Sequence, residues 1–204
     1  MKIITISREF GSGGRELGKR LADALSIPCY DHEIIEMVAK QHGFDKNYVA
    51  HISEKDIRVF YPSTIGHRFM APNHAEQQPI KVTVAQHEII KQIAGQGDCV
   101  IVGRCADVIC QEMNPLNIFV YANQVSKLAR CQSRADENEH FSEKEMIRKM
   151  KQIDKERAAY RELFTEDTWG RKESYHLCIN TSEKEIKTLI PAIAEYVKIW
   201  FDQK

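Results

Sequence analysis

The chain has no apolar run approaching the ~20 residues that a membrane-spanning helix needs. It also has no surplus of charge: Lys plus Arg number 29, Asp plus Glu number 29, and the formal net charge is zero. A balanced surface gives no field to hold nucleic acid or an anionic membrane, so neither is an expected partner. Cys-x-x-Cys pairs are lacking, which argues against a zinc ribbon or a dithiol redox motif. The six cysteines (Cys29, Cys99, Cys105, Cys110, Cys131 and Cys178) fall mostly in apolar stretches, as small buried hydrophobes do in a reducing compartment. There is no His-Glu-x-x-His spacing and no Ser/His/Asp constellation, and the first strand begins almost at Met1 with no room for a signal peptide. The expectation is a soluble, cytoplasmic globular protein.

What is there is a chain of 204 residues, 43% apolar, enough for one substantial core in a single domain spanning 1–204. Five short apolar runs read as strands: Lys2–Ser7, Ile27–Tyr30, Cys99–Gly103, Asn117–Tyr121 and Leu177–Asn180. Amphipathic helices are expected at Arg15–Ser26, His32–His42, Lys81–Ala94, Asn123–Asp136, Ser142–Phe164 and Ser182–Phe201. Ser142-x-x-Glu145 and Ser182-x-x-Glu185 read as capping boxes for the last two, and Gly95-Gln96-Gly97 as a stop. Strands alternating with helices imply βαβ units and an α/β fold with a mainly parallel sheet covered on both faces. Residues 45–80 break this rhythm: a helix near Lys46–Val59 is followed by an irregular stretch bearing Pro62, Pro72 and Pro79, suited to a lid or binding segment.

The opening carries the strongest signal. The strand Ile3-Ile4-Thr5-Ile6-Ser7 runs into Arg8-Glu9-Phe10-Gly11-Ser12-Gly13-Gly14, and a helix follows at once. Such a turn directs unpaired backbone N–H groups and a helix N-terminus at one spot, which suits a phosphate. The P-loop pattern Gly-x-x-x-x-Gly-Lys-Ser/Thr fails for want of the lysine, and Gly-x-Gly-x-x-Gly fails because Glu16 stands at the third glycine. Arg8 and Arg15 flank the turn and either can supply the missing charge; each can equally pair with a carboxylate, Glu9 for Arg8. Glu16 fits a metal ligand or a residue complementing the helix dipole. Elsewhere Arg104 and Asp31 follow strands, where ligands of parallel sheets bind, although Asp31 also suits a helix N-cap. Asp107 can pair with Arg104 or cap the next helix. Arg157 lies on the inward stripe Met146, Met150, Ile153, Tyr160, Phe164, with Asp154 and Arg161 at its edge, so it needs a carboxylate such as Asp154 or a ligand anion. Arg130 and Arg134 are neighbours at i, i+4 and can clamp phosphates or face solvent, and Trp169 suits core packing or a nucleobase.

The opening, without a gap, resembles the start of cytidylate kinases, whose Gly-x-Ser-Gly-x-Gly-Lys-Gly-Thr loop is followed by a helix with residues like Leu17, Lys19, Ala22, Ala24 and Leu25. Gly14 falls at the lysine and Glu16 at the magnesium-binding threonine. With Tyr30-Asp31-His32-Glu33-Ile34-Ile35, Val100-Ile101-Val102-Gly103-Arg104-Cys105-Ala106-Asp107, Asp154-Lys155-Glu156-Arg157, Trp169 and Tyr175-x-Leu177-x-Ile179-Asn180, the chain resembles the cytidylate kinase-like family over nearly its full length. It departs from that family where a tyrosine pair is common, carrying Tyr160-Arg161, and where Tyr-Asp-Leu is common, carrying Tyr175-His176-Leu177. The resemblance implies a three-layer P-loop NTPase-type fold, with a five-stranded parallel sheet flanked by helices and a helical lid at about 130–165. It implies ATP and Mg²⁺ as cofactors and small nucleotides as substrates, with transfer to a nucleoside monophosphate such as CMP or dCMP. In that picture Gly11, Ser12, Gly13, Gly14 and Arg15 cradle donor phosphates with Arg130 and Arg134. Arg8, Arg15, Arg157 and Arg161 stabilise the transferred group, Asp31, Arg104 and Asp107 bind the acceptor, Glu16 is the candidate metal ligand, and residues 45–80 cover the acceptor. A regulatory nucleotide-binding domain with little turnover and a kinase for another small metabolite stand as alternatives, and a homodimer is the assembly considered.

Overall fold

The computed structural model describes residues 1–52, 78–134 and 141–202. Five strands form one sheet: β1 (Ile3–Arg8), β2 (Cys29–Tyr30), β3 (Cys99–Val102), β4 (Leu116–Tyr121) and β5 (Leu177–Asn180). Their order is β2-β3-β1-β4-β5, and every pairing is parallel. The central strands β1 and β3 are buried along their whole length, which is why Cys99-Val100-Ile101-Val102 of β3 shows no polar alternation.

Alternation is present instead between the two faces of the sheet. From β3, Cys99 and Ile101 enter one core with α2 (Glu33–His42), α3 (Lys46–Ile52) and α4 (Gln78–Gln96). Val100 and Val102 enter the other, with Leu17 and Leu21 of α1 (Gly14–Leu25) and Ile190, Ile193 and Val197 of α8 (Ile186–Asp202). The layers are therefore helix, sheet, helix. A short α5 (Ala106–Ile109) follows β3, while α6 (Gln124–Ser133) and α7 (Glu143–Arg161) follow β4. Among the described residues no helix is long and apolar enough to cross a membrane.

All five expected strands are present, the second shortened to two residues. Helix α4 runs past Gly95 to Gln96, and the chain leaves it at Gly97, whose φ of +156° L side chains rarely adopt. The Ser142–Glu145 capping box forms on both sides. The second expected box does not: Ser182 donates to Asn180 Oδ1 at 2.6 Å, and α8 starts only at Ile186. Ser182 Oγ accepts from Asn123 N–H at 2.7 Å rather than from Glu185 N–H, and Glu183 takes a left-handed conformation (φ +57°) that no helix continues. Helix α5 was not expected. Residues 53–77, which hold the rest of the expected Lys46–Val59 helix and the irregular stretch, and residues 135–140 lie outside the described residues.

Candidate active site

The carboxyl ends of β1 and β3 lie side by side, with Gly103 N–H donating to Ile6 O at 2.9 Å. Beyond β1 the chain turns through Gly11 (φ +76°) and Gly13 (φ +84°) before entering α1. At both glycines a side chain would also collide, with Cys131 Sγ and the Lys127 carbonyl at Gly11 and with Ile186 at Gly13. Ser12 is buried and ties the turn to itself by donating to Glu9 O at 2.8 Å. Phe10 N–H donates to Asp154 Oδ1 at 2.6 Å. The N–H groups of Gly13, Gly14, Arg15 and Glu16 meet no acceptor among the described residues. A helix start with four such donors, opening onto a cleft of about 260 Å³, has the chemistry of a polyphosphate site.

Behind the turn lies a smaller cavity. Arg8, Arg104, Arg157 and Arg161 all line it, together with Gly103, Asp107, Tyr160 and Trp169. Arg8 and Arg104 are buried, at 8% and 5% exposure, as is Arg161 at 3%. Asp107, the one carboxylate lining the cavity among the described residues, is ion-paired with Arg161. Burial lowers the Arg161 pKa, but Asp107, helped by Tyr175 and Cys105, outweighs it and the net shift is upward. Arg161 Nε nevertheless finds no acceptor among the described residues, although it is shielded from solvent. Four guanidinium groups line the cavity with one carboxylate on its wall, and Asp31 and Asp154 stand 3.8 Å and 3.7 Å from Arg8 and Arg157, so the lining is rich in positive charge, as an anion site requires.

Arg104 owes its position to three successive left-handed residues, Gly103, Arg104 and Cys105 (φ +78°, +57° and +53°). Its Nε donates to Asp31 O at 3.3 Å and its Nη1 to Gln86 Oε1 at 3.1 Å, and Gln86 Nε2 donates to Tyr160 Oη at 3.0 Å. Arg157 reaches the turn from α7, donating to Arg8 O at 2.9 Å, with Asp154 Oδ1 further off at 3.7 Å. The expected Asp154–Arg157 pair is thus secondary to the backbone contact. Trp169 meets Phe119 edge-on at 5.3 Å, a packing role that still leaves it on the cavity wall.

Other expected residues are placed differently. Asp31 is not an N-cap, since His32 holds that position; its carboxylate pairs with Arg15 Nε at 2.5 Å and lies 3.8 Å from Arg8 Nη2. Arg8 therefore does not take Glu9, which accepts instead from Lys127 Nζ at 3.0 Å. Asp107 neither pairs with Arg104 nor caps α5, whose N-cap is Cys105. Glu16 is held by Arg20 Nε at 2.7 Å and by Arg134, so its carboxylate is not open to a metal in this conformation. No cluster of three metal-ligating side chains occurs among the described residues. Arg130, rather than reaching outward, donates to Thr181 Oγ1 at 3.2 Å, Lys184 O at 3.0 Å and the Thr181 carbonyl.

Several contributors escape sequence reasoning. Gln86 sits on a buried helical face among aliphatic residues, where its polarity is the available signal. Lys127 joins Glu9 and Asp154, lying 3.8 Å from the latter, and Lys149 lines the outer cleft; neither belongs to a recognisable spacing. Burial pushes the Asp154 carboxyl above its usual range, outweighing the Phe10 N–H, Arg157 and Lys127.

The whole chain is similar to solved structures. A crystal structure of an uncharacterized protein from Eubacterium ventriosum superposes with a TM-score of 0.70 at 27% identity, covering 97% of this chain and 99% of that one. Shikimate kinase from Bacteroides thetaiotaomicron gives 0.57 at 13% identity, covering 98% of each chain. Shikimate kinase from Aquifex aeolicus gives 0.52 at 17%, covering 97% of this chain and 96% of that one. The two shikimate kinases speak for the fold, the P-loop kinase architecture that the opening implies. No curated protein matches the sequence. A model of the cytidylate kinase-like family matches residues 3–183, from the first strand to the connection before α8, and the chain belongs to that family.

Proposed function

We propose that the protein is an ATP-dependent phosphotransferase whose acceptor is a small anionic metabolite, with a nucleoside monophosphate such as CMP or dCMP as the first candidate. The observation that carries this reading is the adjacency of two candidate anion sites: the turn's amides, which meet no acceptor among the described residues, on one side, and the four-arginine cavity on the other. Phosphoryl transfer asks for little covalent help from a protein; it needs donor and acceptor held in line and charge neutralised between them.

In this reading Gly13, Gly14, Arg15 and Glu16 receive donor phosphates through backbone N–H groups. Arg104 and Arg157 hold the acceptor's anion, and Arg161 adds the N–H that lacks an acceptor. ATP fits these residues. A resident magnesium ion fits them poorly, because Glu16 is committed to two arginines. Mg²⁺ then arrives as part of the substrate, on the phosphate oxygens.

Coupled ADP release across a panel of acceptors tests the proposal. Turnover on CMP and dCMP supports the nucleotide acceptor; turnover on another metabolite keeps the kinase and changes its substrate. Arg104→Ala should weaken acceptor use by about 10–100-fold, the loss of one charge-assisted contact. ATP binding without ADP release on any acceptor would instead favour a regulatory domain, the reading to which the engaged Glu16 lends support.

A further inference from the structure

The turn brings the last residue of β1 and the first residue of α1 into contact. A Cβ on Gly14 would lie 2.4 Å from Arg8 Cβ and 2.9 Å from Arg8 Cγ. Neither atom is the far end of a flexible chain, so a side chain at 14 and an arginine at 8 exclude one another. In the P-loop pattern Gly-x-x-x-x-Gly-Lys, with Gly13 as its second glycine, position 8 carries glycine and position 14 carries lysine. This chain has the two exchanged: the long cation stands on the strand and the glycine on the helix.

The guanidinium that results is well placed. Among the described residues, Arg8 alone borders both the cleft at the turn and the four-arginine cavity. Its side chain is 9% exposed, whereas that of Arg15 is 59% exposed, pairs with Asp31 and borders the outer cleft alone. Asp31 Oδ1 lies 3.8 Å from Arg8 Nη2 and helps to orient it.

We propose that Arg8, entering from the strand into the space that Gly14 leaves, is the cation that bridges the donor's terminal phosphate and the acceptor, in place of a P-loop lysine. This deepens the phosphotransferase reading and rests on it. A planar guanidinium can contact two phosphate oxygens at once, one from each substrate, as charge spreads over the transferred group.

Two measurements separate the inference from the reading beneath it. The first needs no activity: urea unfolding of Gly14→Ala, Arg8→Gly and the double variant. Mutual exclusion predicts that Gly14→Ala destabilises the native chain but costs little once Arg8 is glycine, a coupling of about 10-fold or more in the unfolding equilibrium. Additive effects overturn the proposal. The second is turnover and nucleotide binding. Arg8→Ala should lower kcat by about 100-fold, with Arg15→Ala losing less than about a tenth as much. The exchange Arg8→Gly with Gly14→Lys should recover part of what Arg8→Gly loses. Calorimetry should show that Arg8→Ala loses the preference for adenylyl imidodiphosphate over ADP. Equal losses in Arg8→Ala and Arg15→Ala, or an intact preference, refute the role of Arg8. A wild-type chain that binds both nucleotides, keeps the Arg8-dependent preference and turns over no acceptor refutes the enzyme reading while leaving Arg8 as the phosphate contact.

Discussion

Replacing Asp107 by Asn tests the electrostatic balance of the inner cavity. Asp107 and Arg161 are an ion pair whose side chains are only 3% and 4% exposed. Water therefore cannot take over when one partner goes. Breaking such a pair from one side leaves a buried charge and costs about 3–5 kcal/mol. For a chain of this length that corresponds to a fall in Tm of roughly 6–20 °C. Asn keeps the shape and one acceptor oxygen, so the loss reports charge rather than a void. The cavity then holds Arg8, Arg104, Arg157 and Arg161 with no carboxylate on its wall. An anion should compensate: inorganic pyrophosphate or CMP should restore more stability to Asp107→Asn than to the wild type, and bind it more tightly. Urea unfolding with and without each anion measures both effects. A variant as stable as the wild type, or one whose deficit ignores anions, would refute the claim that these guanidinium groups share one anion-seeking cavity.

Other consequences follow from single contacts. The Asp154 pKa is raised by burial, so ionised Asp154 opposes folding: its contribution is most favourable below the ordinary carboxylate pKa and is lost as pH rises through the raised value. Asp154→Asn, which can still accept from Phe10 N–H, should therefore gain stability relative to wild type as pH rises from 4 to 7, roughly across the carboxylate range; equal pH profiles in thermal melts would contradict this. Gly14→Ala forces Arg8 to move and should cost about 1–3 kcal/mol in urea unfolding. An unchanged midpoint would mean that the turn yields freely.

Much of the fold is legible in the sequence because it rests on local pattern. The uninterrupted apolarity of Cys99-Val100-Ile101-Val102 marks a strand buried on both faces, and Ser142-x-x-Glu145 marks a helix start that forms as read. Ser182-x-x-Glu185 has the same spacing and fails, because Asn123 N–H, from a neighbouring loop, takes the serine oxygen that the cap would use. Spacing specifies a motif only when no tertiary contact competes for the same oxygen. At the site, the presence of Arg8, Arg104, Arg157 and Arg161 can be read, since each is a cation where a strand end or an inward stripe is expected. Their partners cannot. Asp107 chooses Arg161 over Arg104, and Glu16 meets Arg134 across 118 residues of chain. Gln86 is tied to Tyr160 across 74. Such pairings are set by how helices pack onto the sheet, and no periodicity encodes them.

The central claim is that the turn's amides and the inner guanidinium groups form one site for two phosphates. A crystal structure with adenylyl imidodiphosphate, Mg²⁺ and CMP tests it most directly. The account predicts donor phosphates on the N–H groups of Gly13, Gly14, Arg15 and Glu16, the CMP phosphate between Arg104 and Arg157, and Arg8 between the two. Nucleotide phosphates bound away from the turn, or an inner cavity left without an anion at saturating CMP, would contradict it.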